Sequence, residues 1–282
     1  MFVVMRKIQL VEMISTSRKR ELPFRQGSLC GPPPFRAREA KFVPNLTQPY
    51  TIIEVSGMRI VFVRHGHPNY KDDCLTEFGH LHAKAAAERL KNEGIQKIYS
   101  STCGRAFQTA EYTAKALSLD VEGLDFMREI KWGGEKCADL PDKGHPWKTV
   151  RTMADEGLDL LNTDWDKSYP FDVNPVVDCC HKMADDIDAW LKTLGYTREG
   201  MYYRVGERPF DTVALFSHGG SSSAALAHIF NLPFSFVCSA IRPDFTAITV
   251  VKFSDEQGKL VAPEFEIMND ARHIKNISVD ER

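Results

Sequence analysis

The stretch Arg59-Ile-Val-Phe-Val-Arg-His-Gly66 decides how this chain is read: an apolar run rich in β-branched residues stops abruptly at an arginine, a histidine and a glycine. Such a run predicts a strand buried on both faces, and α/β proteins place reactive groups at the carboxyl ends of these strands. Thr212-Val-Ala-Leu-Phe-Ser-His-Gly-Gly220 repeats the pattern with a second histidine. With Arg105 opening a helical segment between them, two strands ending in His-Gly would gather cations and imidazoles around one pocket. Such a pocket suits phosphate.

Working outward, Thr76 to Asn92 predicts a helix that Thr76 can cap and Gly94 ends, and Ile95 to Tyr99 predicts a second strand. Gly104 to Leu117 is a second helix, whose Ala106, Thr109, Ala110, Thr113 and Ala114 form a small-residue face able to sit close to a sheet. Val121 to Phe126 leads to Arg128-Glu129, and a loop-rich region from Lys131 to Pro175 holds a short helix expected over Thr149 to Leu161. Val176 to Leu194 is amphipathic, with Met183, Ile187, Trp190 and Leu191 at helical spacing and Asp178, Asp185, Asp186 and Asp188 left to solvent. Gly220 to Phe230 is the last helix, and Phe245 to Phe253 and Leu260 to Ile267 are the last strands. Right-handed crossovers between successive strands then give an α/β fold, a three-layer sandwich with a mostly parallel central sheet and helices on both faces. One domain is expected over residues 58–282, with a loop and helix insertion near 131–207 over the pocket.

Residues 1–57 read differently: basic residues outnumber acidic ones, Pro32-Pro33-Pro34 interrupts them, and no periodicity persists after Ile14. They are expected to be a disordered extension or the product of an upstream start codon, with Met58 as the alternative start. The apolar opening is too short and too charged to span a bilayer. A net charge of -2 over 282 residues gives no reason to expect nucleic acid or an acidic membrane as partner. Seven cysteines without a C-x-x-C pair argue for a reducing, cytoplasmic setting rather than a disulfide framework. The expected partner is a small phosphorylated metabolite; nothing in the sequence indicates a homo-oligomer.

Val63-Arg64-His65-Gly66, Leu75-Thr76-Glu77-Phe78-Gly79, Tyr99-Ser100-Ser101 through Gly104-Arg105-Ala106-Phe107-Gln108-Thr109-Ala110, and Ser217-His218-Gly219 together resemble the histidine phosphatase superfamily, with its phosphoglycerate mutase-like fold. The resemblance covers about residues 59 to 270 and rests on four ordered blocks. It implies that His65 is the nucleophile and is transiently phosphorylated. It further implies that Arg64, Arg105 and His218 bind phosphate and that Glu129 is the proton donor.

The chemistry agrees with those roles on independent grounds. A neutral imidazole is a competent nucleophile near neutral pH, whereas a phosphomonoester dianion repels attack until positive donors hold its oxygens. Arg64 and Arg105 each offer a planar fork of donors, and losing one such donor costs about 3 kcal/mol of transition-state stabilisation. The attacking nitrogen of His65 keeps its lone pair only if the other nitrogen is tied to an acceptor, for which a backbone carbonyl near Gly66 is the local candidate. Glu129, raised in pKa by burial, would protonate the leaving oxygen and then deprotonate water; Asp125 and Glu135 stand close enough in sequence to compete for that role.

The segment after the first histidine departs from the family's usual pattern. Many members carry an acid or glutamine, a threonine and further arginine or Gln-Gly groups there, whereas this chain has His67-Pro68-Asn69-Tyr70-Lys71-Asp72-Asp73-Cys74. That weakens the case for a mutase, which needs extra cations; Lys71, Lys131 and Arg242 are the candidates. His67 either contacts substrate or packs beside the nucleophile. The expected function is metal-independent phosphomonoester hydrolysis through phosphohistidine, without a cofactor. Phosphoglycerate mutase-type transfer and a non-catalytic phosphate-binding regulatory protein are the alternatives. Metal hydrolysis is disfavoured because His65-x-His67, His80-x-His82 and Cys179-Cys180-His181 complete no known ligand spacing. Trp132, Tyr169, Phe171, Tyr202 and Tyr203 are candidates for an apolar entrance.

Overall fold

The computed structural model describes residues 57–277, so the expected extension lies outside the described residues except for Gly57. Strand β1 (Gly57–Arg64) carries the deciding stretch. Its Met58, Ile60 and Phe62 pack on one side of the sheet and Val61 and Val63 on the other, none more than 2% exposed. Burying an apolar side chain of this size contributes about 1.5–3 kcal/mol relative to leaving it in water, so this strand is anchored from both faces.

After β1 come the two-stranded hairpin β2 (Pro68–Asn69) and β3 (Cys74–Leu75), then α1 (Glu77–Leu90), β4 (Lys97–Ser101), α2 (Gly104–Leu117) and β5 (Val121–Leu124). They are followed by α3 (Pro146–Asp155), α4 (Val176–Thr193), β6 (Tyr196–Glu199) and β7 (Tyr202–Val205). The chain continues through β8 (Thr212–Ser217), α5 (Gly219–Ile229), α6 (Phe234–Ala240), β9 (Ile248–Ser254), β10 (Leu260–Val261) and β11 (Glu264–Asp270). The main sheet has the order β11-β9-β1-β8-β4-β5. Strands β1, β8, β4 and β5 run parallel, and β9 and β11 add an antiparallel edge. One face is covered by α1 and α2 through Leu90, Ala110 and Ala114, and the other by α4 and α5 through residues such as Met183, Ile187, Ala224 and Leu226.

Several local expectations shift. The Thr149 helix begins earlier, at Pro146, because a proline is well suited to the first helical turn, and it stops before Gly157 (φ +70°). Leu260 to Ile267 splits into β10, which pairs with β7, and β11, which pairs with β9. Of residues 131–207, α4 forms part of a covering layer rather than a flap, with Trp190 edge-on to Tyr99 at 5.3 Å. Strands β6 and β7 form a small sheet with β10 whose Tyr196 and Tyr203 clasp Phe253 at 4.7 and 5.2 Å. Phe171 and Tyr203 are therefore core residues and not an entrance. Asp188 is not simply solvated either: it accepts from His228 at 2.8 Å and from Arg198 at 2.9 Å. Among the described residues no helix is long and apolar enough to cross a membrane.

Candidate active site

The parallel pairing of β1 with β8 sets Arg64 opposite Ser217, and His65 N–H extends it by donating to Ser217 O at 2.9 Å. The two His-Gly pairs therefore end neighbouring strands. Their imidazoles lie edge to face with centroids 5.2 Å apart, His65 being 1% and His218 0% exposed. Gly66 permits the sharp exit from β1: its N–H donates to Thr109 Oγ1 at 3.1 Å, and a Cβ there would stand 2.6 Å from the Gly79 carbonyl oxygen of α1.

Two partners fix the proton on His65. Nδ1 lies 2.7 Å from Gly66 O, a carbonyl that can only accept, and Nε2 receives the Arg105 Nε–H at 3.4 Å, a group that can only donate. The proton sits on Nδ1 and the Nε2 lone pair faces Arg105. Burial, followed by the positive charge of Arg64, holds the His65 pKa down to about 3, so the ring is neutral at physiological pH.

Arg64 and Arg105 approach from different elements. Arg64 Nη1 donates to Pro243 O at 2.6 Å, its guanidinium lies 4.4 Å from the Phe245 ring centroid, and its Nε is buried without a hydrogen-bond partner among the described residues. Burial pulls its pKa below the ordinary arginine value. Arg105 stands at the second position of α2, where Asp73 from the β2–β3 hairpin binds its guanidinium. The Tyr70 ring lies 5.4 Å from the same group.

His218 caps the end of β8. Ser101 Oγ lies 2.8 Å from His218 Nε2 and accepts the Cys103 N–H at 3.2 Å. The other ring nitrogen, Nδ1, has no hydrogen-bond partner among the described residues. Burial, and then the charges of His65 and Arg105, push the His218 pKa well below its ordinary value.

Glu129 faces the same pocket. Its Oε1 accepts from Ile130 N–H at 3.1 Å and from Ser221 N–H, in the first turn of α5, at 3.0 Å. A Cβ on Gly220 would stand 2.5 Å from that oxygen, so glycine is what lets the carboxyl press against the helix. Burial raises the Glu129 pKa; the two backbone donors and the charges of Arg64 and Arg105 oppose that rise without cancelling it. The competing acids are set apart by exposure: Asp125 bonds Thr102 at the surface, and Glu135 is exposed in the insertion.

Arg64, His65, Arg105, Glu129 and His218 thus converge. His67 is engaged elsewhere: its Nδ1 lies 2.8 Å from Thr76 Oγ1 and its ring packs on Phe245 at 5.2 Å. Lys71, Lys131 and Arg242 are exposed. Among the described residues no group of histidines, cysteines and acids assembles into a metal centre. Four residues at the site carried no sequence assignment: Asp73, Ser101, Phe245 and Trp147. The last comes from α3, with its Cη2 atom 3.8 Å from where a Gly219 Cβ would be, beside Arg64. Of these, Ser101 alone had a local signal, at a strand end just ahead of Gly104-Arg105.

This geometry can be set beside known proteins. A protein from Proteus mirabilis named "probable phosphoglycerate mutase GpmB" is 24% identical over 236 residues, covering 79% of this chain and 98% of the relative. One of the same name from Yersinia pestis is 34% identical over 112 residues, or 36% of this chain and 52% of that relative. Among solved structures, a mycobacterial glucosyl-3-phosphoglycerate phosphatase with inorganic phosphate superposes with a TM-score of 0.53 at 22% identity, covering 77% of this chain and 100% of the other. An Entamoeba histolytica phosphoserine phosphatase variant with phosphoserine gives 0.51 at 17% identity, covering 77% and 99%. These two likenesses establish the fold. Family membership comes from the sequence itself, which matches the histidine phosphatase superfamily (branch 1) over residues 60–265, and the chain belongs to that superfamily.

Proposed function

We propose that this enzyme hydrolyses a small phosphomonoester, without a metal ion, through phospho-His65. The observation that carries the reading is the state of His65: buried, neutral, with Nδ1–H on Gly66 O and the Nε2 lone pair directed toward Arg105. Arg64 and Arg105 supply the positive charge that draws a phosphate dianion onto that nitrogen, and the His218 ring stands beside it. The Nε2 lone pair forms the N–P bond while the P–O bond to the leaving group breaks, and the proton of Glu129 passes to the departing oxygen. Water then attacks phosphorus and gives its proton to the Glu129 carboxylate. The N–P bond electrons return to Nε2, and inorganic phosphate leaves.

Hydrolysis is favoured over mutase transfer by the hairpin that follows the nucleophile. A mutase must hold a doubly phosphorylated intermediate while it turns, which calls for cations around the outer pocket. Here the hairpin spends its polar groups on itself and on Arg105: Asn69 bonds Asp72 and the Lys71 N–H, His67 bonds Thr76, and Asp73 binds the guanidinium. The curated relatives carry the mutase name and the solved neighbours carry phosphatase names, so the partition of products is the test. Chelator-treated protein is incubated with 3-phosphoglycerate and other phosphomonoesters, and free phosphate and isomerised product are measured separately. Free phosphate, with an acid-labile phosphoprotein that His65→Ala abolishes, is expected. Efficient interconversion of phosphoglycerates with little free phosphate would overturn the reading.

A further inference from the structure

Glu129 defines the leaving-group side of the pocket, and the chain that runs on from it turns aromatic at once. Trp132 lies three residues beyond Glu129, 42% exposed, and meets the His145 ring with centroids 4.6 Å apart at 63°. His145 in turn meets Trp147 at 5.9 Å and 57°. The Trp147 indole is fixed at one end by its Nε1–H, which donates to Ile241 O at 3.1 Å. Its opposite edge lies beside Gly219 and Arg64. The rings form a continuous folded wall that starts at the phosphate-binding arginine and ends in solvent.

We infer that this wall is the leaving-group subsite and that it takes a planar aromatic group, making the substrate the phosphate monoester of a small aromatic alcohol. Three features lead there. The exposed Trp132, edge-on to the half-buried His145, presents a tilted ring face to solvent, a surface on which a further aromatic ring packs. Lys148, the residue after Trp147, is committed to Asp142 at 2.7 Å and is not offered to a substrate carboxylate. His145 is held neutral by burial and then by Lys148, so its ring stacks as an aromatic and not as a cation. Trp147 is held in place by α3, whose Val150 and Met153 are buried in the core.

The inference rests on the pocket being a phosphate site, and its test separates that premise from the subsite. Benzyl phosphate and ethyl phosphate have leaving groups of similar basicity, so their relative kcat/KM reports on the subsite and not on intrinsic reactivity. The expected ratio is about tenfold or more in favour of benzyl phosphate. It should fall several-fold toward unity in Trp132→Ala, whose side chain is exposed enough for the fold to tolerate the change. Trp147→Phe should retain most of it. Binding of benzylphosphonate and ethylphosphonate, measured by calorimetry, should show the same preference without turnover. A ratio near one in the unmodified protein, or one that Trp132→Ala leaves intact, would overturn the aromatic subsite. Absence of turnover with benzylphosphonate still preferred would overturn the hydrolase reading and support the subsite.

Discussion

Asp73 ties Arg105 to the start of its own helix: one carboxylate oxygen accepts the Gly104 N–H at 2.8 Å, and the other binds the Arg105 guanidinium whose Nε–H reaches His65. The hairpin thereby aims the arginine. Asp73→Asn keeps the shape of the side chain and loses its charge, so Arg105 should be less well oriented. We expect kcat/KM for p-nitrophenyl phosphate to drop by about tenfold, mostly through KM, since a small misplacement of an orienting group is costly. The melting temperature should move little, because the Asp73 side chain is 41% exposed.

In the proposed mechanism Glu129 carries the proton that a poor leaving group needs, and burial raises its pKa. Activity toward alkyl phosphates should therefore be full below that raised pKa and fall as the pH rises through it. Glu129→Gln should lower kcat for ethyl phosphate by about a hundredfold or more. The same substitution should cost p-nitrophenyl phosphate less in its first step, because nitrophenolate leaves without a proton. Comparing burst amplitudes for the two substrates across pH checks this.

The buried imidazoles bear on acid stability. His65 stays neutral in the folded chain down to about 3, against an ordinary value of 6.5, and His218 is shifted in the same direction. Below pH 6.5 the unfolded chain binds protons that the folded chain refuses. Their contribution to stability is fully present above 6.5 and is lost as the pH falls toward 3. Urea midpoints should drop between pH 7 and pH 5, and His65→Ala should flatten that slope.

Gly66→Ala probes the packing of β1 against α1. The added Cβ would face the Gly79 backbone oxygen at 2.6 Å, which cannot rotate away as a side chain would. A loss of about 2 kcal/mol or more is expected, read as a shifted denaturation midpoint.

The parts of the fold that local pattern specifies were legible in the sequence. The run from Ile60 to Val63, the Thr76 cap and the small face of α2 each announce themselves within a few residues, and Arg64, His65, Arg105, Glu129 and His218 do meet. What was missed depends on residues far apart in the chain. Asp188 looks solvated by helical phase, yet its partners Arg198 and His228 lie 10 and 40 residues away. Strands β6 and β7 carry Thr197, Glu199, Tyr202 and Arg204 on exposed positions and turn at Gly200, so they read as loop until β10 pairs with them. Trp147 has no motif at all; its place beside Arg64 follows from the hydrogen bond to Ile241, 94 residues later.

The register of β1 against β8 carries an evolutionary consequence. Side chains alternate along a strand, so a slip of one residue would turn one imidazole to the far side of the sheet and end the chemistry. Arg64 opposite Ser217 is thus a constraint that no small insertion in either strand can survive. The stretch that contributes Trp132, His145 and Trp147 lies outside the main sheet, so its length does not set that register. On the proposed reading, inheritance of the reaction and inheritance of the preferred leaving group are separable in this chain. Relatives that share the nucleophile can therefore part company in substrate through changes confined to the residues between Glu129 and α4.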